Sequence, residues 1–233
     1  MRLGKIISIE GPDSSGKETQ TKMLYDRLNE EGFECEMMSF PRYDTPTGRI
    51  IGQCYLGRTD LGDGDAAWFG DPTKVDPKVA SMLYAVDRFA ALPKIERIVN
   101  SGKHLILDRW VESNKTHQAS KEPDFEKRRK IIKFIDELEY GLLGLPRPDM
   151  SIFLNMPLSV STKLGDKRGD SDGHEKNLEY LKIVNEFIET SPELWNFMRI
   201  DCISNGEIAS LKLPEEIHEE IYKQVIERII SSR

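Results

Sequence analysis

The stretch Gly11-Pro12-Asp13-Ser14-Ser15-Gly16-Lys17-Glu18-Thr19 restricts the fold more than any other part of the chain. Before it, the Ile-rich run Leu3 to Ile9 reads as a buried strand that stops at the glycine turn. After it, Met23, Leu24 and Leu28 fall three to four residues apart and Gly32 follows, which predicts a helix from Lys17 to Glu31 with a C-terminal glycine. Strand, glycine turn and helix in that order form a cradle for phosphate. Small residues let backbone N–H groups close around phosphate oxygens, the helix N-terminus adds positive potential, and Lys17 reaches the β/γ phosphates. The spacing Gly-x4-Gly-Lys is complete. The next position departs from it, because Glu18 stands where Ser or Thr orients Mg²⁺, and Thr19 lies about 100° further round the helix. Glu18 is therefore expected to contact the metal itself, directly or through water.

Four further strand candidates follow: Phe33 to Phe40, Lys103 to Leu107, Met150 to Leu154 and Met198 to Ile200. Helical patterns lie between and after them, from Phe125 to Leu143 and through Ile217, Ile221, Val225 and Ile229. This alternation predicts an α/β protein with a five-stranded parallel sheet flanked by helices on both faces. Two segments break the rhythm, Gly57 to Pro77 and Leu164 to Gly173, and both read as mobile surface loops. No linker divides the chain, so residues 1–233 are expected to form a single domain. The 33 basic and 40 acidic residues give a net charge of −7, which argues against a general nucleic-acid binder. Cys35, Cys54 and Cys202 have no metal-ligand spacing and favour a reducing, cytoplasmic setting. No signal-peptide core is visible, and no window approaches the about 20 apolar residues of a membrane span.

Beyond the phosphate loop, four segments occur in the order and spacing of the thymidylate kinase family. They are Phe40-Pro41-Arg42-Tyr43, Tyr84-Ala85-Val86-Asp87-Arg88, Asp108-Arg109-Trp110-Val111-Glu112-Ser113-Asn114, and the polar loop ending at His174-Glu175. The chain resembles that family from residue 3 to about residue 205. The resemblance implies a P-loop kinase fold with a LID segment at about 163–176, using ATP and Mg²⁺ to phosphorylate dTMP as a cytoplasmic homodimer. It implies that residues Gly11 to Thr19 hold ATP. It also implies that Asp13 meets the sugar 3′-hydroxyl or the acceptor-side metal, and that Arg42, flanked by Phe40 and Tyr43, holds the acceptor phosphate. Tyr84 is implied to stack on thymine while Arg88, one helical turn later, bonds a base carbonyl. Asn114 is implied to read the N3–H and its neighbouring oxygen. It also implies that Arg109 bridges the two phosphates and that Asp108 holds magnesium through water.

Some family members carry a transition-state arginine inside the phosphate loop. Residues 12 to 15 of this chain supply none. That charge is expected from the LID, from Arg168 first and Lys167 second, with Lys163 nearby. Lys17, Arg109, Arg168 and Asp13 are thus the expected catalytic set. Two positions differ from the family pattern: Trp110 replaces the usual Tyr, and His117 stands where an aromatic hydroxyl crowds the sugar 2′ carbon. An imidazole can instead hydrogen-bond a 2′-hydroxyl. Alternative readings are another deoxynucleotide or deoxynucleoside kinase, with Arg42 and Arg109 together arguing that the acceptor carries a phosphate, and a nucleotide-binding regulatory module without turnover.

Overall fold

The computed structural model describes residues 3–61, 67–157, 159–161, 178–190, 197–204 and 211–230. Its centre is a five-stranded, wholly parallel sheet of β1 (Ile6–Glu10), β2 (Cys35–Ser39), β3 (His104–Asp108), β4 (Met150–Asn155) and β5 (Met198–Asp201), in the order β2-β3-β1-β4-β5. β1 and β3 are buried at every position, as expected of central strands covered on both faces. The expected strand at Leu3 starts later. The backbone N–H groups of Leu3 and Gly4 instead donate to the Val99 carbonyl at 3.1 and 2.7 Å.

Helices cover both faces. On one, α1 (Lys17–Glu30) and the C-terminal α7 (Pro214–Val225) bury Leu24, Leu28, Ile217, Ile221 and Val225 against Ile7, Ile9 and Ile152. On the other, α3 (Pro77–Asn100), α4 (Val111–Ala119), α5 (Phe125–Asp136) and α6 (Leu178–Thr190) enclose Trp110, Ile95, Ile132 and Phe187. A short α2 (Pro46–Arg49) precedes α3, capped by the Thr45 side chain accepting from Gly48 N–H. The helical pattern read from Phe125 to Leu143 divides in two: α5 passes at Glu137–Leu142 into a π-helical turn, which alters the face presented by the residues beyond Asp136.

Strand order changes direction at β1, so β1 and β3 send their C-terminal ends into the crevice where parallel sheets place ligands. Gly11 leaves β1 there with φ +152°, and a Cβ at that position would lie 2.8 Å from Ser15 Oγ and 3.0 Å from the Leu154 carbonyl oxygen. Gly16 opens α1 in the left-handed region at φ +87°. The segment read as a loop at 57–77 is pinned where it is described: Tyr55 Oη donates to the Pro72 carbonyl at 3.2 Å, and Lys121 Nζ to the Val75 carbonyl at 3.1 Å. No helix among the described residues is long and apolar enough to cross a membrane.

Candidate active site

A cavity of about 620 Å³ opens at the ends of β1, β2 and β3. Asp13, Ser14, Gly16, Lys17, Glu18 and Thr19 of the phosphate loop lie on its wall. Gly11, Pro12 and Ser15 stand behind them and shape the loop: Ser15 N–H donates to the Pro12 carbonyl at 3.2 Å, and Lys17 Nζ donates to the same oxygen at 2.6 Å. Glu18 and Thr19 both face the cavity, so the helical offset between them separates their directions without removing either from the site. Burial lowers the Lys17 ammonium to a pKa of about 8, with Arg109 adding to the effect and Asp13, Asp108 and Glu10 opposing it.

Arg109 leaves β3 with φ +65°, a conformation that costs energy for any residue with a side chain. Its guanidinium pairs with the Asp13 carboxylate across the cavity. Burial works against its charge, but Asp13, Asp108 and Glu10 outweigh that effect and hold its pKa up. Beside it, Asp108 Oδ2 accepts from Ser39 Oγ at 3.3 Å, while Asp108 Oδ1 is buried with no partner. An unpartnered carboxylate oxygen on the wall, with the exposed Glu18 carboxylate on the same wall, suits a hard cation. Mg²⁺ is commonly held by one or two carboxylates together with phosphate oxygens and water. Among the described residues no three His, Cys, Asp or Glu side chains gather closely enough to hold a metal.

Phe40, Tyr43, Tyr84, Arg88, Asn114 and His117 also line the cavity. Tyr84 and Arg88, four residues apart on α3, share the wall, and Tyr84 meets Tyr55 edge-on with ring centroids 5.8 Å apart. His117 Nδ1 lies 3.3 Å from Tyr180 Oη, which donates to the His117 carbonyl at 2.6 Å. Burial lowers the imidazole to a pKa of about 4, so the ring is neutral at pH 7.

Arg42 is placed otherwise than expected. It is not on the cavity wall, because buried Asp87 accepts its backbone N–H at 2.8 Å while its guanidinium bonds the Asp87 carbonyl at 3.0 Å and Oδ1 at 3.3 Å. Arg58 lies on the wall instead, with its guanidinium 4.4 Å above the Tyr43 ring and paired with Asp60 at 2.6 Å. Asn114 also differs: its Nδ2 donates to Glu139 Oε1 at 2.8 Å and to the Ser81 carbonyl at 3.3 Å, so only Oδ1, buried and without a partner, remains to offer. Lys163, Lys167 and Arg168, with the rest of 163–176, lie outside the described residues.

Two carboxylates escaped the sequence reading. Glu10, at the end of β1, accepts the Trp110 N–H at 2.8 Å and the Ser113 hydroxyl at 2.5 Å, tying the strand that feeds the phosphate loop to the start of α4. Burial raises its pKa to about 7, more than the Ser113 hydrogen bond lowers it. A carboxylate closing an apolar strand beside a glycine turn was the available signal. Glu139 had none, since it lies in what reads as an amphipathic helix.

Residues 9–210 match the family model for thymidylate kinase. The chain belongs to the thymidylate kinase family. It is 30% identical over 226 residues to the thymidylate kinase of Schizosaccharomyces pombe, covering 93% of this chain and 95% of that protein. It is 27% identical over 219 residues to a probable thymidylate kinase of Pyrococcus abyssi, with 94% of each covered. A solved thymidylate kinase from Candida albicans superposes with a TM-score of 0.68 at 21% identity, over 97% of this chain and 92% of that one, and so shares the fold. The five-stranded parallel sheet is thus that of a P-loop kinase, as the sequence implied.

Proposed function

We propose that this chain transfers the γ-phosphoryl group of ATP to the phosphate of dTMP, forming dTDP and ADP. One observation carries the reading: a single cavity joins a phosphate-cradling loop and its lysine to a wall bearing an aromatic ring, a guanidinium and a carboxamide. That combination suits a phosphate chain and a nucleobase bound side by side. Phosphoryl transfer asks the protein mainly for positioning and for positive charge on the transferring group.

In this reading the loop N–H groups and Lys17 hold the ATP phosphates, and Arg109, oriented by Asp13, spans donor and acceptor phosphates. Asp108 and Glu18 hold Mg²⁺, which neutralises charge on the phosphate oxygens when bound. Tyr84 stacks on the thymine, Arg88 donates to it, and Asn114 Oδ1 accepts its N–H. Arg58 and Arg109 line the cavity together with Arg88, and Arg42, bonded to Asp87 behind the wall, holds the acceptor phosphate in this reading. Arg168 of the LID closes over the transferring group and brings the further positive charge.

The proposal extends to a homodimer. Along α3, Met82, Val86 and Phe89 recur at helical spacing and are 46%, 53% and 47% exposed, an apolar stripe suited to a second copy. Val86→Asp is expected to shift sedimentation toward monomer, and an unchanged dimer would place the interface elsewhere. The free, buried cysteines suit a cytoplasmic setting.

The test of the activity is ADP release from ATP and Mg²⁺ with dTMP, dUMP, dCMP, dGMP and thymidine supplied separately, with products identified by mass. Turnover on dTMP but not on thymidine is expected. Turnover on thymidine would reassign the chain as a nucleoside kinase, and ATP binding with no turnover would make it a regulatory module.

A further inference from the structure

Glu139 is not among the residues that line the cavity, yet it holds two that are. It lies in the π-helical turn after α5 and is fully buried. Its carboxylate accepts from Arg88 Nε at 2.5 Å and Arg88 Nη2 at 2.7 Å, and from Asn114 Nδ2 at 2.8 Å. Arg88 belongs to α3 and Asn114 to α4, so one group ties together two helices that wall the site.

The polarity of this cluster follows from donor and acceptor counts. An ionised carboxylate offers only acceptor positions. The other neighbour of the Asn114 amide is the Ser81 carbonyl, again an acceptor. Both demand the nitrogen end of the carboxamide, which leaves Oδ1 facing away from them, buried and without a partner. Buried unsatisfied polar atoms are uncommon in folded proteins and call for a partner. Burial opposes the charge of Arg88, but Glu139 outweighs that effect and holds its pKa up, so the guanidinium stays a charged donor.

We propose that Glu139 is a positioning residue that sets acceptor specificity from behind the cavity wall. By fixing Asn114 as an acceptor and Arg88 as a donor, it makes the site complementary to a base edge with an N–H beside a carbonyl. The imide of thymine has that edge. Cytosine, with an unprotonated ring nitrogen there, meets Asn114 Oδ1 lone pair to lone pair. This inference rests on the reading of the cavity as a dTMP site.

The experiment compares kcat/KM for dTMP and dCMP in wild type and Glu139→Gln. In the variant an amide nitrogen replaces one carboxylate oxygen and faces an Arg88 N–H, and Asn114 is no longer held to one orientation. The dTMP:dCMP ratio is expected to narrow by about ten-fold or more, through a higher KM for dTMP, while KM for ATP stays within about two-fold. A merely structural Glu139 would lower both acceptors alike, and an unchanged ratio overturns the proposal. Should the variant fail to fold, a crystal structure of the wild type with dTMP decides. Asn114 Nδ2 is expected to stay on Glu139 with Oδ1 on the ring N–H, and an Asn114 that turns its nitrogen to the base overturns the proposal. A wild type that ignores dTMP overturns the dTMP reading and this inference together, whereas an unchanged ratio in an active enzyme overturns only the role of Glu139.

Discussion

At the phosphate loop, Lys17 is held by the carbonyl of Pro12, five residues away in the chain, and the loop closes on its own backbone. On the facing wall, Arg88 and Asn114 are held by Glu139, 51 and 25 residues away, and behind that wall Arg42 is held by Asp87, 45 residues away. One side of the cavity is local backbone geometry, fixed by glycines and a helix terminus. The other is a set of side chains whose aim depends on partners brought together only by the completed fold. The donor side should therefore respond to substitution by losing rate without losing stability. The acceptor side should lose stability and discrimination together.

The largest effect that separates the two is expected at Lys17. Lys17→Met should lower kcat with dTMP by about 10²-fold or more, as for loss of other groups that stabilise developing charge. The melting temperature should not fall, since the variant removes a buried ammonium whose charge burial disfavours. A parallel loss of stability would show that Lys17 is structural, and the comparison would break there.

Arg88→Ala is expected to do the reverse. It leaves Glu139 fully buried and unpaired, so unfolding free energy in urea should fall by about 3–5 kcal/mol. Replacing both partners with apolar residues, Arg88→Met with Glu139→Leu, should recover most of that loss while dTMP binding stays weak. A double variant no more stable than the single one would contradict the ion-pair account.

The smallest effect is in pH dependence, where the two sides oppose one another. Glu10 is raised to about 7 in the fold from an ordinary 4.5, so between those values the folded state binds more protons and stability from this group is lost as pH rises. His117 is lowered to about 4 from an ordinary 6.5, so the unfolded state binds more protons and stability from this group is lost as pH falls. Relative to wild type, Glu10→Gln should make stability drop more steeply as pH is lowered from about 7 to 4.5. His117→Asn should make it drop less steeply over about 6.5 to 4. Urea midpoints across that range measure both, and slopes parallel to wild type would show that neither shift exists.

The same division explains what could be read from the residues alone. The central strands β1, β3 and β4 were visible as apolar runs that end in turn residues, because strands buried on both faces require such runs. The phosphate loop was visible because its function is written in adjacent positions. Tyr84 and Arg88 could be paired by helical spacing. Glu139 could not be found that way: a charged residue between Leu138 and Tyr140 reads as a solvent-facing helix position, and the π-helical turn that buries it has no local signature. Arg42 was legible as a guanidinium near the site, but its partner Asp87 lay in the middle of another motif. Segment 57–77 read as mobile because it is rich in Gly and Asp, and Lys121, whose ammonium meets both Tyr55 Oη and the Val75 carbonyl, gave no hint of anchoring it.

The central claim is that the side-chain wall recognises the base of dTMP, and calorimetric titration of the wild type with dTMP and with dCMP, without ATP, tests it most directly. The account predicts that dTMP binds about 100-fold more tightly, because its imide edge pairs with Asn114 and Arg88 while cytosine leaves buried groups unpaired. Equal affinities, or a preference for dCMP, would contradict it.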